Sequence, residues 1–80
     1  MPYIGKERSE LIMQGDWPNN AGELNYCFTR AIIHYMKSRG VSYQTMNDVV
    51  GALENAKNEF QRRIVHPYED SKIAKNGDVY

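Results

Sequence analysis

Apolar residues recur at intervals of three and four over the middle of this 80-residue sequence. They are Met46, Val49, Leu53, Ala56, Phe60 and Ile64. This spacing places them on one face of an α-helix, which we predict to run to about Val65 with the apolar face in the core. Thr45, with Asp48 three residues later, resembles a capping box, and Ser42 is the alternative cap.

An earlier helix is predicted from Asn20 to Arg39. Asn19 or Asn20 can cap it, and Glu23 lies in the first turn, where a negative charge is favourable. Gly40 is the expected residue after its C-terminus. Its apolar residues cover most of the circumference and leave a narrow polar stripe that includes Arg30 and His34.

A helix that is apolar nearly all round is buried on more than one side. The remaining chain is too short to cover this helix twice, so we expect a second subunit to do so. The residues expected at that interface on this helix are Tyr26, Ile33 and Met36.

Pro67 interrupts the second helix because it lacks an amide hydrogen and clashes with the preceding turn. It either kinks that helix or begins a third one that ends near Lys75. The predicted fold class is all-α: a helical hairpin with a kinked or separate C-terminal helix, homo-oligomeric. We divide the chain into an N-terminal segment and loop, residues 1–20, and a helical domain, residues 21–80. Residues 6–14 are predicted to form two helical turns, and Trp17 to anchor the loop onto the core.

Charge and cysteine content exclude several classes of function. Ten basic and ten acidic residues give a formal net charge of zero, which removes the electrostatic argument for non-specific binding to nucleic acid or membranes. Cys27 is the single cysteine, so an intrachain disulfide is impossible. No apolar run is long enough to span a membrane. We expect a cytoplasmic protein without a metal or another cofactor.

The outer side of the second helix is predicted to contact another subunit or a ligand. It carries Asn47, Gly51, Glu54 and Asn58. A glycine in a helix interior costs about 1 kcal/mol relative to alanine. Such a glycine is best tolerated where another group approaches the backbone closely. We therefore add Asn47, Gly51 and Glu54 to the expected interface, with a solvated face as the alternative.

Two adjacent arginines, Arg62 and Arg63, allow two interpretations. They can form ion pairs with Glu59 along the helix, and the Arg63–Glu59 pair is expected to be partly buried at the core edge. They can also bind a phosphate, because a guanidinium presents a bidentate fork. The ion pairs are favoured. The residues of the phosphate site would be Arg62, Arg63, Arg30, Asn58 and Tyr68.

The stretch from Gly40 to Val50 has a local likeness to a helix-turn-helix, in which Tyr43, Gln44 and Asn47 would approach base edges. Residues 41–55 carry two acids and no lysine or arginine, which would repel phosphates. We therefore disfavour DNA binding. Acidic residues near the C-terminus, Glu69 and Asp70 among them, are explained by a helix start, and we predict no catalytic residues and no enzyme.

Through several short segments the sequence resembles a family of small uncharacterised helical proteins of phage and bacterial genomes. The segments are MPYI (1–4), GELNY (22–26), Thr29-Arg30, SY (42–43), NDVVGALENAK (47–57), Glu59-Phe60 with Arg62-Arg63, PYED (67–70), Lys72-Ile73 and NGDVY (76–80). The resemblance departs between Gly5 and Asn20, where this chain looks shortened.

A phage setting implies small proteins that act by binding. We therefore expect a non-enzymatic protein that binds a host or phage protein in an accessory or anti-defence role. The alternatives are an oligomeric binder, or sponge, of a phosphate-bearing ligand such as a nucleotide signal, and the disfavoured DNA-binding module.

Overall fold

A computed structural model describes residues 4–80, and the described chain is helical with no strand. Helix α1 spans Lys6–Met13, α2 spans Ala21–Arg39 and α3 spans Tyr43–Phe60. A π-helical segment, Gln61–Val65, then leads into α4, His66–Asn76. The all-α prediction is confirmed. The MPY of the N-terminal string lies outside the described residues.

Two compact units make up the chain, one ending at Thr45 and the other beginning at Met46. The first holds α1 and α2, and the second holds α3 beyond its first turn, the π segment and α4. The hairpin arrangement, the homo-oligomer and the division between residues 1–20 and 21–80 stay predictions.

Helix α1 ends in a Schellman motif built around Gly15. The Gly15 amide donates to the carbonyl of Ile12 (2.9 Å) and the Asp16 amide to that of Leu11 (3.0 Å). Gly15 has a φ of 103°, a conformation that residues with a side chain rarely adopt. This turn starts the loop that leads to α2, and it follows the two helical turns predicted from sequence.

The predicted caps of α2 are confirmed. Asn20 Oδ1 accepts a hydrogen bond from the Glu23 amide (2.9 Å), which satisfies one of the free donors of the first turn. At the other end the Gly40 amide donates to the Met36 carbonyl (2.8 Å), with φ at 85°.

Helix α3 begins earlier than a Thr45 cap would allow. Ser42 Oγ accepts from the Thr45 amide (3.0 Å) and lies 2.9 Å from the Thr45 hydroxyl. Ser42, the alternative, is therefore the capping residue, and the Thr45 assignment is wrong. Thr45 lies inside the first turn of α3, where its hydroxyl is hydrogen-bonded to that of Ser42 and the residue is only 5% exposed.

Pro67 does not stop the helix. Val65 and His66 keep helical backbone angles, and the His66 amide donates to the carbonyl of Gln61, a spacing of five residues. Pro67 lies in the first turn of α4 and has no amide hydrogen to donate. The wide turn before it has one extra residue, so the helix continues past Pro67 without that hydrogen bond. Helix α4 then ends at Asn76, one residue later than predicted, with Gly77 at a φ of 90°.

The apolar faces are not buried. Among residues 4–80 the buried residues are Glu23 and Thr45, and no apolar residue joins them. Met46 and Leu53 are each 42% exposed, and Phe60 and Ile64 are each 58% exposed. The prediction that this stripe forms core is wrong within the second unit, because no other element of that unit covers it.

Candidate functional site

An ion-pair cluster centred on Arg8 joins α1 to the start of α2. Arg8 Nε donates to Glu23 Oε2 (3.0 Å) and Arg8 Nη2 donates to Glu23 Oε1 (2.6 Å), a bidentate pair. Arg8 Nη1 also donates to Asp16 Oδ2 (2.8 Å), and Nη2 reaches the Trp17 carbonyl (3.2 Å). One side chain therefore fixes α1, the loop and α2 in one arrangement.

Glu23 is the most enclosed member of this cluster, with 6% of its surface exposed. The amide of Asn19 donates to Glu23 Oε1 (3.0 Å), and the Asn20 side-chain amide approaches Oε2 (3.4 Å). Glu23 lies in the first turn of α2, as the sequence predicted. The helix start and Arg8 together enclose its carboxylate.

Both carboxylates of the cluster are held in the ionised state. The Arg8 hydrogen bond, followed by the Asn19 amide, lowers the pKa of Glu23. Arg8 and the Trp17 amide lower the pKa of Asp16, and the pKa of Arg8 is raised by its two acidic partners, Glu23 before Asp16. The cluster thus stays fully charged through the neutral range, where it acts as a structural clamp rather than as an acid or base.

Beside this clamp lies an open groove of about 610 Å³ between the end of α1, the loop and one face of α2. Its lining is largely apolar: Ile12, Met13, Trp17, Pro18, Leu24, Cys27, Phe28 and Ala31, together with Gly15, Asp16, Arg30 and His34. The four-residue spacing of Leu24 and Phe28 places both on the groove face of α2. We call this feature the first-unit groove.

Trp17 stands at the groove without being buried. Its side chain is 82% exposed, so the prediction that it anchors the loop onto a core is wrong. The Trp17 amide is bonded to Asp16 Oδ1 (2.9 Å) and its carbonyl to Arg8, so the backbone is fixed while the indole faces outward. A large rigid aromatic side chain in this setting provides contact area for a partner.

Arg30 and His34 supply the basic side chains of the groove. They are one helical turn apart on α2, and both are exposed. Arg30 belonged to the predicted phosphate site, and the structure places it on the first-unit groove. An apolar surface beside one guanidinium suits a partner that is apolar with an acidic group.

The predicted arginine pair lies in the second unit. Arg62 Nη2 donates to both oxygens of Glu59 (3.1 and 2.8 Å), and Arg63 Nε donates to Oε1 of the same carboxylate. These two arginines lower the pKa of Glu59. The ion-pair interpretation is confirmed. The expected partial burial of Arg63 and Glu59 is wrong, because all three side chains lie on an exposed helix surface.

Tyr68 and Asn58, the other residues of the predicted phosphate site, are also exposed in this unit. The ammonium group of Lys72 lies 5.4 Å from the centre of the Tyr68 ring, a cation–π distance. Phosphate binding by these residues stays a prediction.

The residues predicted for a subunit interface differ in exposure. Tyr26, Ile33 and Met36 on α2 are half-buried, whereas Asn47, Gly51 and Glu54 are exposed. Glu54 forms an ion pair with Lys57 (3.5 Å). A Cβ atom added at Gly51 would meet nothing in the described chain within 4 Å. Their contact with another subunit stays a prediction.

Sequence reasoning missed the clamp and the groove. The sequence indicated Asn20 as a cap and Glu23 as an acid of the first turn, but it did not indicate that Glu23 binds Arg8. The partnership of Arg8 with Glu23 spans 15 positions and has no local periodicity that could predict it. Residues 4–80 contain no group of three or more histidine, cysteine or acidic side chains able to hold a metal ion. In the same range no helix has the length and apolarity needed to cross a membrane.

These features define an all-helical protein with a clamped N-terminal helix and an exposed apolar groove. The family model of DUF6899, a domain of unknown function, matches residues 1–79, and the chain belongs to that family. The matched range includes residues 5–20, where the resemblance departs. Neither the curated proteins nor the solved structures contain a match to this chain.

Proposed function

We propose that this is a non-enzymatic binding protein that assembles with itself and binds another protein, from a host or a phage, through the first-unit groove. The observation that carries the proposal is the exposure of the groove's apolar side chains. Leu24 is 45% exposed, Phe28 49% and Met13 59%. Complete burial of a fully exposed side chain of this kind is worth about 1.5–3 kcal/mol, and about half of that remains to be gained at each of these half-exposed positions.

A protein surface suits this groove better than a small molecule does. Small-ligand sites typically enclose most of their ligand, whereas here the exposed Trp17 and Phe28 leave the groove open to one side. Tryptophan and arginine are the residues that most often dominate protein interfaces. Trp17 and Arg30 both line the groove, so its chemistry favours an apolar segment with an acidic side chain.

The clamp supports the proposal because it holds the groove in shape before binding. Arg8 bonds to Glu23, Asp16 and the Trp17 carbonyl, so the loop does not have to be ordered by the partner. A preorganised site loses less conformational entropy on association.

A nucleotide sponge is the alternative, and it has weaker support. The carboxylate of Glu59 already engages both Arg62 and Arg63, so a phosphate would have to displace it. A thermal-shift screen with nucleotides and cyclic nucleotides tests this alternative directly. A large shift that is abolished by Arg62→Ala together with Arg63→Ala would favour the sponge over the protein-binding proposal.

Site-specific photocross-linking tests the main proposal. A photoreactive phenylalanine analogue replaces Phe28 in the groove, and the control replaces Asn25, which is exposed on α2 and does not line the groove. We expect one adduct with a different protein from position 28 only, lost when Trp17→Ala is added. Equal adducts from both positions, or adducts only between copies of this chain, would contradict the proposal.

A further inference from the structure

The second unit carries an exposed apolar stripe along α3. It comprises Met46, Val49, Leu53, Ala56 and Phe60, and we call it the α3 stripe. Met46, Leu53, Ala56 and Phe60 are exposed, and Val49 is half-buried. Within residues 46–80 the helical chain runs on through the π segment into α4, and no further element of that unit covers the stripe.

The spacing of the α3 stripe is that of a helix–helix seam. Its members follow one another at intervals of three, four, three and four residues, so Met46, Leu53 and Phe60 fall one heptad apart. A seven-residue repeat keeps an apolar stripe facing one partner helix along its length. The stripe is narrow, as such seams are, and it suits one helix more closely than a sheet or a bulky ligand.

The π segment extends the seam. After Phe60 a regular heptad would place the next seam residue three positions on, at Arg63. The next apolar residue on this side is instead Ile64, four positions on. The wide turn at Gln61–Val65 inserts one residue into the helix and thereby compensates for this shift. Tyr68, four residues beyond Ile64, continues the same side. A seam from Met46 to Tyr68 is about 33 Å long at the rise of an α-helix.

Charges beside the stripe do not oppose self-pairing. Glu54 is paired with Lys57, and Glu59 with both Arg62 and Arg63, all on the same helix. The chain has a formal net charge of zero. Residues 46–63 carry three acidic and three basic residues in all. Two identical copies therefore bring together helices of zero net charge, without the like-charge repulsion that prevents many helices from pairing with themselves.

We propose that the α3 stripe pairs with the α3 stripe of a second copy of this chain in a two-fold symmetric dimer. An isolated helix is marginal in water and gains most of its stability by packing its apolar face. An identical copy offers a stripe of the same length and spacing, and two-fold pairing of one surface with itself is the commonest way for a chain to dimerise. This assignment rests on the self-assembly part of the proposed function and is independent of the first-unit groove.

Sedimentation of the full chain over a range of concentrations, with matched variants, tests this pairing. Leu53 lies in the middle of the α3 stripe, and Asn55 lies on the opposite side of the same helix. We expect Leu53→Glu to weaken the dimer at least about a hundredfold, since each copy loses a buried leucine and gains a charge at the seam. Asn55→Glu adds the same charge and is expected to change the dissociation constant less than about threefold.

Leu53→Ala guards against a loss of folding, because alanine is the strongest helix former. It should weaken the dimer at least about tenfold while the far-ultraviolet circular dichroism stays helical. A wild-type monomer at micromolar concentration would overturn both the pairing and the self-assembly. A wild-type oligomer that Leu53→Glu and Leu53→Ala leave intact would overturn only the pairing through the α3 stripe. Neither of these results bears on the photocross-linking of the first-unit groove.

Discussion

Arg8 and Glu23 form a bidentate ion pair, with contacts of 3.0 and 2.6 Å, across 15 positions of the chain. Through this pair the short helix α1 is attached to the first turn of α2. The pair also determines where the loop carrying Trp17 lies, because Arg8 bonds to the Trp17 carbonyl as well. The groove that we propose as a binding surface therefore depends on one guanidinium group.

Replacing Arg8 should release α1 and the loop while leaving the rest of α2 folded. In Arg8→Met the side chain keeps its apolar stem and loses its bonds to Glu23 and Asp16. We expect amide hydrogens of residues 6–20 to exchange markedly faster, with little change beyond Cys27. Hydrogen exchange with mass spectrometry measures this. Lys6→Met, an exposed position on the same helix, is the control, and equal acceleration in both variants would contradict the clamp.

Acid should weaken the same cluster. The pKa values of Glu23 and Asp16 are lowered in the folded protein, chiefly by Arg8. Their stabilising effect is thus fully present above their ordinary pKa, near 4, and is lost as pH falls through the lowered values. We therefore expect the protection of residues 6–20, taken relative to the intrinsic exchange rate at each pH, to fall as the pH drops below about 4 in the wild type. Glu23→Gln should remove most of this dependence, and an unchanged acid response in that variant would refute the assignment.

Loss of the α2 cap should destabilise the first unit. Asn20 accepts from the Glu23 amide (2.9 Å). Removing such a cap typically costs about 1 kcal/mol, so Asn20→Ala should lower the free energy of unfolding by about that amount. Denaturant titration followed by circular dichroism measures the change. Asn25→Ala, further along the same helix, should have a smaller effect, and a larger loss at position 25 would contradict the capping role of Asn20.

Replacing Gly51 should stabilise the protein, whereas replacing Asn20 should destabilise it. Nothing in the described chain lies within 4 Å of a Cβ atom at this position, and Gly51 lies on the side of α3 opposite the α3 stripe. Gly51→Ala should therefore raise the free energy of unfolding by about 1 kcal/mol and leave the dimer unchanged. If sedimentation shows that this variant dissociates, a partner helix approaches Gly51, as the sequence interpretation expected.

Local sequence signals predicted the helices well. Asn20, Gly40 and Ser42 act through bonds to residues three or four positions away, so their roles can be read from spacing alone. The ion pairs of Glu59 with Arg62 and Arg63 belong to the same class. Periodicity also identified the α3 stripe, although it could not show that a single chain leaves the stripe exposed.

The clamp and the groove lay beyond such signals. The bond from Arg8 to Glu23 depends on how the chain turns at Gly15, and neither charge stands out among twenty charged residues. Trp17 was expected in a core because large aromatic residues usually pack inward. Its backbone is instead fixed by Arg8 and Asp16, which leaves the indole free to face a partner.

We propose that another polypeptide covers the apolar faces that this chain leaves exposed. Native mass spectrometry of the freshly purified full chain tests it most directly, since it reports subunit number and any retained partner together. We predict an even-numbered assembly of the chain, with or without a second protein attached, and little free monomer. A spectrum dominated by monomer at micromolar concentration would contradict the account.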